Sequence, residues 1–141
     1  MKGFGYLRDP LCWGALSLYA VNRLLIRPHA GPYFHSHFPG LASFLNAHFD
    51  DLLLLPAALP VVLWLQRAFG WRRHDEPPGW GEMWLHLLVW SVMAKIIGPH
   101  YLHIGVMDPW DLLYFTLGGV SAVGWWQYRS RASESSFTNP A

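Results

Sequence analysis

Histidine and aspartate side chains gather in two stretches of the chain that interrupt its apolar runs. Six of the eight histidines belong to these stretches: His29, His35, His37, His48, His100 and His103. Imidazole and carboxylate groups bind zinc and other first-row metals, and a His-x-His spacing can place two ligands on one ion. The candidate metal ligands are His35, His37, His48, His100 and His103. They indicate a divalent metal site or proton-linked chemistry, although no His-Glu-x-x-His or Cys-x-x-Cys motif accompanies them.

Charged and amide side chains at the ends of the apolar runs form a second candidate group. Lys95 lies about one turn from the end of such a run, where an unpaired ammonium costs roughly 3 kcal/mol or more. It can extend towards lipid headgroups or pair with an acid at the same depth. The adjacent Asp50 and Asp51 exceed what one helix cap needs. The candidate ligand-binding residues are Asn22, Arg23, Asp50, Asp51, Lys95 and Asp111.

Two members of this group have structural explanations as well. Arg23 can clamp a phosphate or a carboxylate, but it can also anchor a helix to lipid headgroups. Asp111 belongs to the motif Asp108-Pro109-Trp110-Asp111, in which an N-cap acid, a proline at the first helical position and an acid in the first turn predict a helix start.

Four apolar segments must position these side chains. They cover residues 10–27, 51–69, 80–98 and 109–127, each close to the roughly 20 residues that cross about 30 Å of hydrocarbon. The chain is 52% hydrophobic and 13% charged, below the charge of about 25% that is usual in soluble domains. The sequence therefore predicts an all-α integral membrane four-helix bundle, with residues 1–128 as one transmembrane domain.

Basic residues predict how this bundle is oriented. Seven fall on one side of a four-pass arrangement and two on the other; the seven are Lys2, Arg8, Arg67, Arg72, Arg73, Arg129 and Arg131, and the two are Arg23 and Arg27. This positive-inside bias predicts cytoplasmic termini and a cytoplasmic loop at residues 70–79. The candidate histidines and acids then lie on the outer side.

The remaining segments connect or extend the four helices. Prolines and glycines interrupt residues 28–40, which predicts an outer loop followed by a short interfacial helix at residues 41–49. The serine-rich segment 129–141 is predicted to be a disordered cytoplasmic tail. Small residues suit the fourth helix to close packing; they are Gly118, Gly119, Ala122 and Gly124.

Several functional classes find no support in the sequence. The net charge of +1 and the dispersed basic residues argue against a nucleic-acid partner. The single cysteine, Cys12, allows no disulfide within the chain. The sequence contains no phosphate loop, dinucleotide-binding glycine pattern or Ser-His-Asp order, so it predicts no established class of enzyme and favours a non-enzymatic protein.

Three short motifs lie in or beside the apolar segments. They are Asn22-Arg23, the segment Leu45-Asn46-Ala47-His48-Phe49-Asp50-Asp51-Leu52-Leu53-Leu54-Leu55-Pro56, and Asp108-Pro109-Trp110-Asp111-Leu112-Leu113-Tyr114 with Gly118-Gly119. Together they resemble small VanZ-like and other uncharacterised multi-pass bacterial membrane proteins. The resemblance implies a helical bundle of the bacterial inner membrane, in some relatives linked to resistance against glycopeptide antibiotics. Ala94-Lys95 stands where an acidic residue of the third helix is expected.

Three functions follow as hypotheses. The first is a membrane protein that recognises a polar headgroup or an ion at the outer polar cluster. The second is a metal- or proton-linked transporter, or a metal-dependent membrane enzyme, that uses the outer histidines and a divalent metal. The third is a structural subunit whose partners are other membrane proteins or further copies of the chain, within the lipid bilayer.

Overall fold

The structure, a computed structural model, describes the backbone of residues 4–102 and 108–138. Within these ranges all side chains are described except those of residues 94, 95, 98, 99, 102 and 134–138. The prediction of an all-helical chain is confirmed: four long helical stretches and short connections make up the described residues, which include no strand.

The first helical stretch is longer than the apolar run that predicts it. It comprises α1 (Pro10–Val21), a π-helical segment (Asn22–Ala30) and α2 (Gly31–His37). Residues 28–37, which we expected to form a loop because of their prolines and glycines, are therefore helical. Pro28 lies inside the wider turns of the π-helical segment, where local changes in hydrogen bonding accommodate a residue without an amide proton.

The second stretch consists of α3 (Pro39–Ala47) and α4 (Phe49–Ala68). His48 separates the two helices, with a backbone outside the regular helical range (φ −123°, ψ −15°). The helix α3 includes most of the segment predicted to be a short interfacial helix. Together these residues, Pro39–Ala68, form the single stretch in the described chain that is long and apolar enough to cross a membrane, judged by length and composition.

The third and fourth stretches complete the molecule. The third contains α5 (Trp80–Val92) and a second π-helical segment (Met93–Leu102), and the fourth is α6 (Pro109–Thr138). The Asp108 carboxylate accepts a hydrogen bond from the Trp110 amide at 3.0 Å, as expected for the cap of α6. Residues 129–138, which we predicted to be disordered, continue α6, since no proline or glycine interrupts the helix there.

The core lies between α4 and α6. Leu55, Leu59 and Leu63 are fully buried, and their spacing of four residues places them on one face of α4. Leu59 and Leu63 belong to one buried cluster with Met83 of α5 and with residues near the middle of α6, while Leu55 packs with Leu87 and Phe115. The small residue Gly119 lets Leu55 and Met83 approach α6: a Cβ added there would lie 2.8 Å from Leu55 Cδ1.

The closest approach between α4 and α6 is at Gly118. A Cβ atom at this position would lie 2.0 Å from the carbonyl oxygen of Leu52. Pro56 follows Leu52 by four residues and has no amide hydrogen, so it cannot donate the usual helical hydrogen bond to that carbonyl. Gly118 and Pro56 therefore meet at one backbone oxygen, where only a residue without a side chain fits.

Two polar networks stabilise the predicted inner end of the molecule, where α1 begins and the 70–79 loop lies. Asp9 is buried; it caps α1 through the Leu11 amide (2.9 Å) and accepts a hydrogen bond from Trp126 Nε1 (2.9 Å). Arg72, also buried, pairs with Glu82. Asp9 therefore links the start of α1 to α6, and Arg72 fixes the 70–79 loop to the start of α5.

Tyr6 connects the N-terminal segment to the same loop. Its hydroxyl donates to Asp75 Oδ1 at 2.9 Å and lies 3.3 Å from the carbonyl oxygen of His74. Burial, followed by the hydrogen bond to Asp75, raises the pKa of Tyr6 above its usual value. The hydrogen bond between Tyr6 and Asp75 therefore ties the N-terminal segment to the 70–79 loop.

Candidate ligand-binding site

The carboxylate of Asp50 is the centre of a polar cluster where α1 passes into its π-helical segment. Asp50 lies in the first turn of α4, and its Oδ2 is 2.9 Å from Arg27 Nη2 and 3.6 Å from Arg23 Nη1. Its Oδ1 accepts a hydrogen bond from Asn22 Nδ2 at 3.1 Å. We call Asn22, Arg23, Arg27 and Asp50 the arginine cluster.

The arginine cluster also reaches α3. Asn22 Nδ2 and Arg27 Nη2 both donate to the carbonyl oxygen of Leu45, at 3.0 and 3.1 Å. These bonds connect α1, α3 and α4 at one point. The π-helical segment begins at Asn22, so its wider turns set the angle at which Asn22, Arg23 and Arg27 face the two other helices.

Two buried atoms of the arginine cluster lack a hydrogen-bond partner among the described residues. They are Asn22 Oδ1 and Arg27 Nε, and Asn22 is completely buried. Leaving a buried polar atom unbonded costs about 1–3 kcal/mol. One atom is an acceptor and the other a donor, and both lie below the protein surface.

The charges of the arginine cluster do not cancel. Two guanidinium groups face one carboxylate, and Arg27 makes the shorter ion pair. Arg23 keeps 55% of its side-chain surface exposed and lies at the longer distance from Asp50. Arg23 is therefore the cluster's available cation, while Arg27 is held in place by Asp50 and Leu45.

An apolar cavity of about 490 Å³ ends at this cluster. Its walls come from α1, α4 and α5, and its polar end contains Asp50 and Asp51. Most of the lining is hydrocarbon or aromatic: Leu16, Tyr19, Leu53, Leu54, Ala57, Ala58, Val61, Val62 and Trp90. The cavity is thus amphipathic, with a long apolar part and charged groups at one end only.

A second group of polar side chains lies beside the first. Asp51, His48 and Asp111 bring one potential metal-ligand atom each within 4.8 Å of the others. His48 Nδ1 is 3.0 Å from Asp111 Oδ1, and the His48 ring stacks on Tyr114 with a centroid distance of 4.7 Å. We call His48, Asp51 and Asp111 the histidine–aspartate triad.

The structure separates the other candidate histidines from these acids. His35 and His37 are exposed on α2, and the His37 ring lies 3.0 Å from the carbonyl of Tyr33 and stacks on its ring. His100 is exposed and contacts the carbonyl of Ile96. None of these three joins a group of metal ligands within the part of the chain that the structure describes. His103 lies outside the described residues.

The site predicted from the sequence is thus divided in two. Asn22, Arg23 and Asp50 come together as one cluster, whereas Asp51 and Asp111 combine with His48 in the other. Arg27 was missed as a site residue, since at the sequence level it contributed only to the count of basic residues on the outer side. The Lys95 side chain is outside the described part of the chain, and its pairing with an acid stays a prediction.

Comparisons with protein-family models, with curated proteins and with solved structures find no match to this chain, so its function has to be argued from the chemistry of these two clusters.

Proposed function

We propose that the chain is a multi-pass bacterial inner-membrane protein that binds an amphiphile with an anionic headgroup. The headgroup lies at the arginine cluster and the hydrocarbon part in the adjoining cavity. One observation carries this proposal: the apolar cavity ends at Asp50, the carboxylate that holds both arginines.

The charged groups that line the cavity itself are the carboxylates of Asp50 and Asp51, so the attraction for an anionic headgroup comes from Arg23 beside them. Arg23 has guanidinium hydrogens directed away from its long contact with Asp50, and a guanidinium binds phosphate or carboxylate oxygens through paired hydrogen bonds. A phosphate, as in the headgroup of phosphatidylglycerol, offers such oxygens.

The surface of the protein supports a lipid environment. Large apolar side chains are exposed on every long helix; examples are Trp13, Leu24, Trp64, Leu88, Ile96 and Leu113. In water such a surface would favour association. In a four-pass arrangement the arginine cluster and the triad lie at the outer ends of the helices, at the depth of lipid headgroups.

The decisive experiment changes Arg23 to Gln. Charge-assisted hydrogen bonds contribute about 1.5–3 kcal/mol, so we expect Arg23→Gln to weaken binding of phosphatidylglycerol at least about tenfold. Native mass spectrometry of the protein in maltoside detergent, titrated with the lipid, measures the affinity. Stability should change little, because an exposed ion pair contributes about 0–1 kcal/mol.

Arg131→Gln is the matched control, since Arg131 is an exposed arginine near the C-terminal end of α6. It should leave lipid binding unchanged. Phosphatidylcholine tests the headgroup: the unmodified protein should prefer phosphatidylglycerol, and Arg23→Gln should remove the preference. Equal binding of the two lipids by the unmodified protein, or equal losses in both variants, would contradict the proposal.

A further inference from the structure

The histidine–aspartate triad offers the ligand types of a transition-metal site. An imidazole nitrogen and two carboxylate oxygens suit zinc, manganese and related divalent cations, whereas magnesium and calcium prefer oxygen ligands alone. The three residues come from the α3–α4 junction, the first turn of α4 and the first turn of α6. Such convergence of separate segments is what a metal centre requires.

The distances within the triad fit one ion. Two ligands that each bind a cation at about 2.1 Å lie roughly 3.0–3.4 Å apart in octahedral or tetrahedral coordination. His48 Nδ1 and Asp111 Oδ1 are within hydrogen-bond distance at 3.0 Å, and the same separation fits one edge of such a polyhedron once a cation takes the place of the shared hydrogen. The three ligand atoms all lie within 4.8 Å of one another, so the set has to close by a small side-chain movement when an ion binds.

The surrounding structure holds the ligands in place. The His48 ring packs parallel to Tyr114, with an interplanar angle of 20°, and its backbone is fixed at the break between α3 and α4. The His48 and Asp111 side chains keep 18% and 11% of their surfaces exposed, so they are shielded from water but reachable by an ion. The close contact of α4 with α6 at Gly118 sets the spacing of the two carboxylates.

We propose that His48, Asp51 and Asp111 form a binding site for one divalent first-row transition-metal cation such as Zn²⁺. Asp51 also lines the apolar cavity, so the ion would lie beside the amphiphile site. Asp51 and Asp111 take part in further interactions within the protein, and the cation shares or replaces these when it binds. Metal binding is independent of the amphiphile proposal and is tested without lipid.

The test uses the full chain in detergent, freed of metal by a chelator. Titration calorimetry with Zn²⁺ and Mn²⁺ should show about one equivalent bound, with Zn²⁺ the tighter of the two, and Mg²⁺ should bind much more weakly. His48→Gln and Asp51→Asn should each weaken Zn²⁺ binding at least about tenfold, since each removes a ligand. His35→Gln and His37→Gln, exposed histidines outside the triad, are the matched controls and should change nothing.

Two further measurements keep a folding defect from imitating the result. At one fixed Zn²⁺ concentration the melting temperature of the unmodified protein and of both controls should rise by clearly more than that of Asp51→Asn, which leaves the His48–Tyr114 stacking intact. Co²⁺ should give visible absorption bands that His48→Gln alters. The proposal is overturned by the absence of stoichiometric Zn²⁺ binding, or by losses in the controls equal to those in the triad variants.

Discussion

Asp50 shows how one side chain can organise a site. Its carboxylate accepts a hydrogen bond from Asn22 and forms ion pairs with Arg23 and Arg27. Only 21% of its side-chain surface is exposed. A carboxylate that were merely capping α4 would bond to backbone amides of its own helix. Asp50 instead binds side chains of another helix, so its role is to position the arginines at the end of the cavity.

Replacing Asp50 by Asn tests this role through stability. Arg27 would stay largely buried without its anion, and breaking a partly buried pair of this kind costs about 2–3 kcal/mol. We expect Asp50→Asn to lower the melting temperature in detergent clearly. Asp75→Asn is the matched control: it removes the Arg67–Asp75 charge pair, in which both side chains are about half exposed, keeps an amide oxygen that can accept the Tyr6 hydrogen bond, and should cost about 0–1 kcal/mol. Equal shifts in the two variants would show that Asp50 has no special structural role.

Sequence reasoning located the arginine cluster more completely than the triad. Asn22, Arg23 and Asp50 could be grouped because the ends of neighbouring apolar runs meet at one face of a bundle. The contact of His48 with Asp111 joins positions 63 residues apart, and it depends on how α3 turns into α4. No spacing rule in the sequence contains that turn, so the sequence grouped His48 with the other outer histidines and did not single out its contact with Asp111.

At the scale of helices, the irregular turns determine where the side chains of the two clusters lie. The first π-helical segment carries Asn22, Arg23 and Arg27, and the break at His48 aims an imidazole at α6. Prolines and glycines in residues 28–40 predict a loop, because each is unfavourable in a regular α-helix. The chain remains helical there by widening its turns or by starting new helices at proline, as α2 and α3 do.

Alanine substitutions at Gly118 and, as the control, at Gly124 test the packing of α4 against α6. Gly118→Ala places a Cβ 2.0 Å from the Leu52 carbonyl oxygen, a backbone atom that cannot rotate away. We expect a destabilisation of about 1–3 kcal/mol or more from this overpacking, measured as a lower melting temperature. The same change should also weaken Zn²⁺ binding, because it separates Asp51 from Asp111.

Gly124→Ala provides the control on the same helix. A Cβ at Gly124 meets no atom within 4 Å, and alanine favours helix by about 1 kcal/mol over glycine. This variant should be as stable as the unmodified protein or slightly more stable. A Gly118→Ala protein of equal stability would show that α4 and α6 do not approach as closely as the structure describes.

For the whole molecule, apolar composition predicts the helices better than it predicts the number of crossings. All four helical stretches follow apolar runs of the sequence, yet α1 and α5 have only 12 and 13 residues before their turns widen. Pro39–Ala68 alone meets the length and hydropathy expected of a span among the described residues. The four-pass arrangement stays a prediction that needs a topological measurement.

Single cysteines can count the crossings. In a Cys12→Ser background, a membrane-impermeant maleimide applied to intact spheroplasts should label Ser36→Cys and Tyr101→Cys, both at exposed positions. Ser133→Cys, exposed on α6, should react only after the membrane is permeabilised. If Pro39–Ala68 were the sole span, residues 101 and 133 would lie on the same side of the membrane, and Tyr101→Cys and Ser133→Cys would be labelled alike. That result would refute the four-pass arrangement.

The meeting of Pro56 and Gly118 at the Leu52 carbonyl also limits how this protein can evolve. While position 56 is proline, the carbonyl receives no helical hydrogen bond from it and stays directed at α6, so any side chain at position 118 is selected against. The Leu52 carbonyl carbon would lie only 3.0 Å from a Cβ at position 118, so the restriction comes from the backbone of α4 itself. We therefore expect position 118 to remain glycine among descendants of this sequence for as long as α4 and α6 pack in this way.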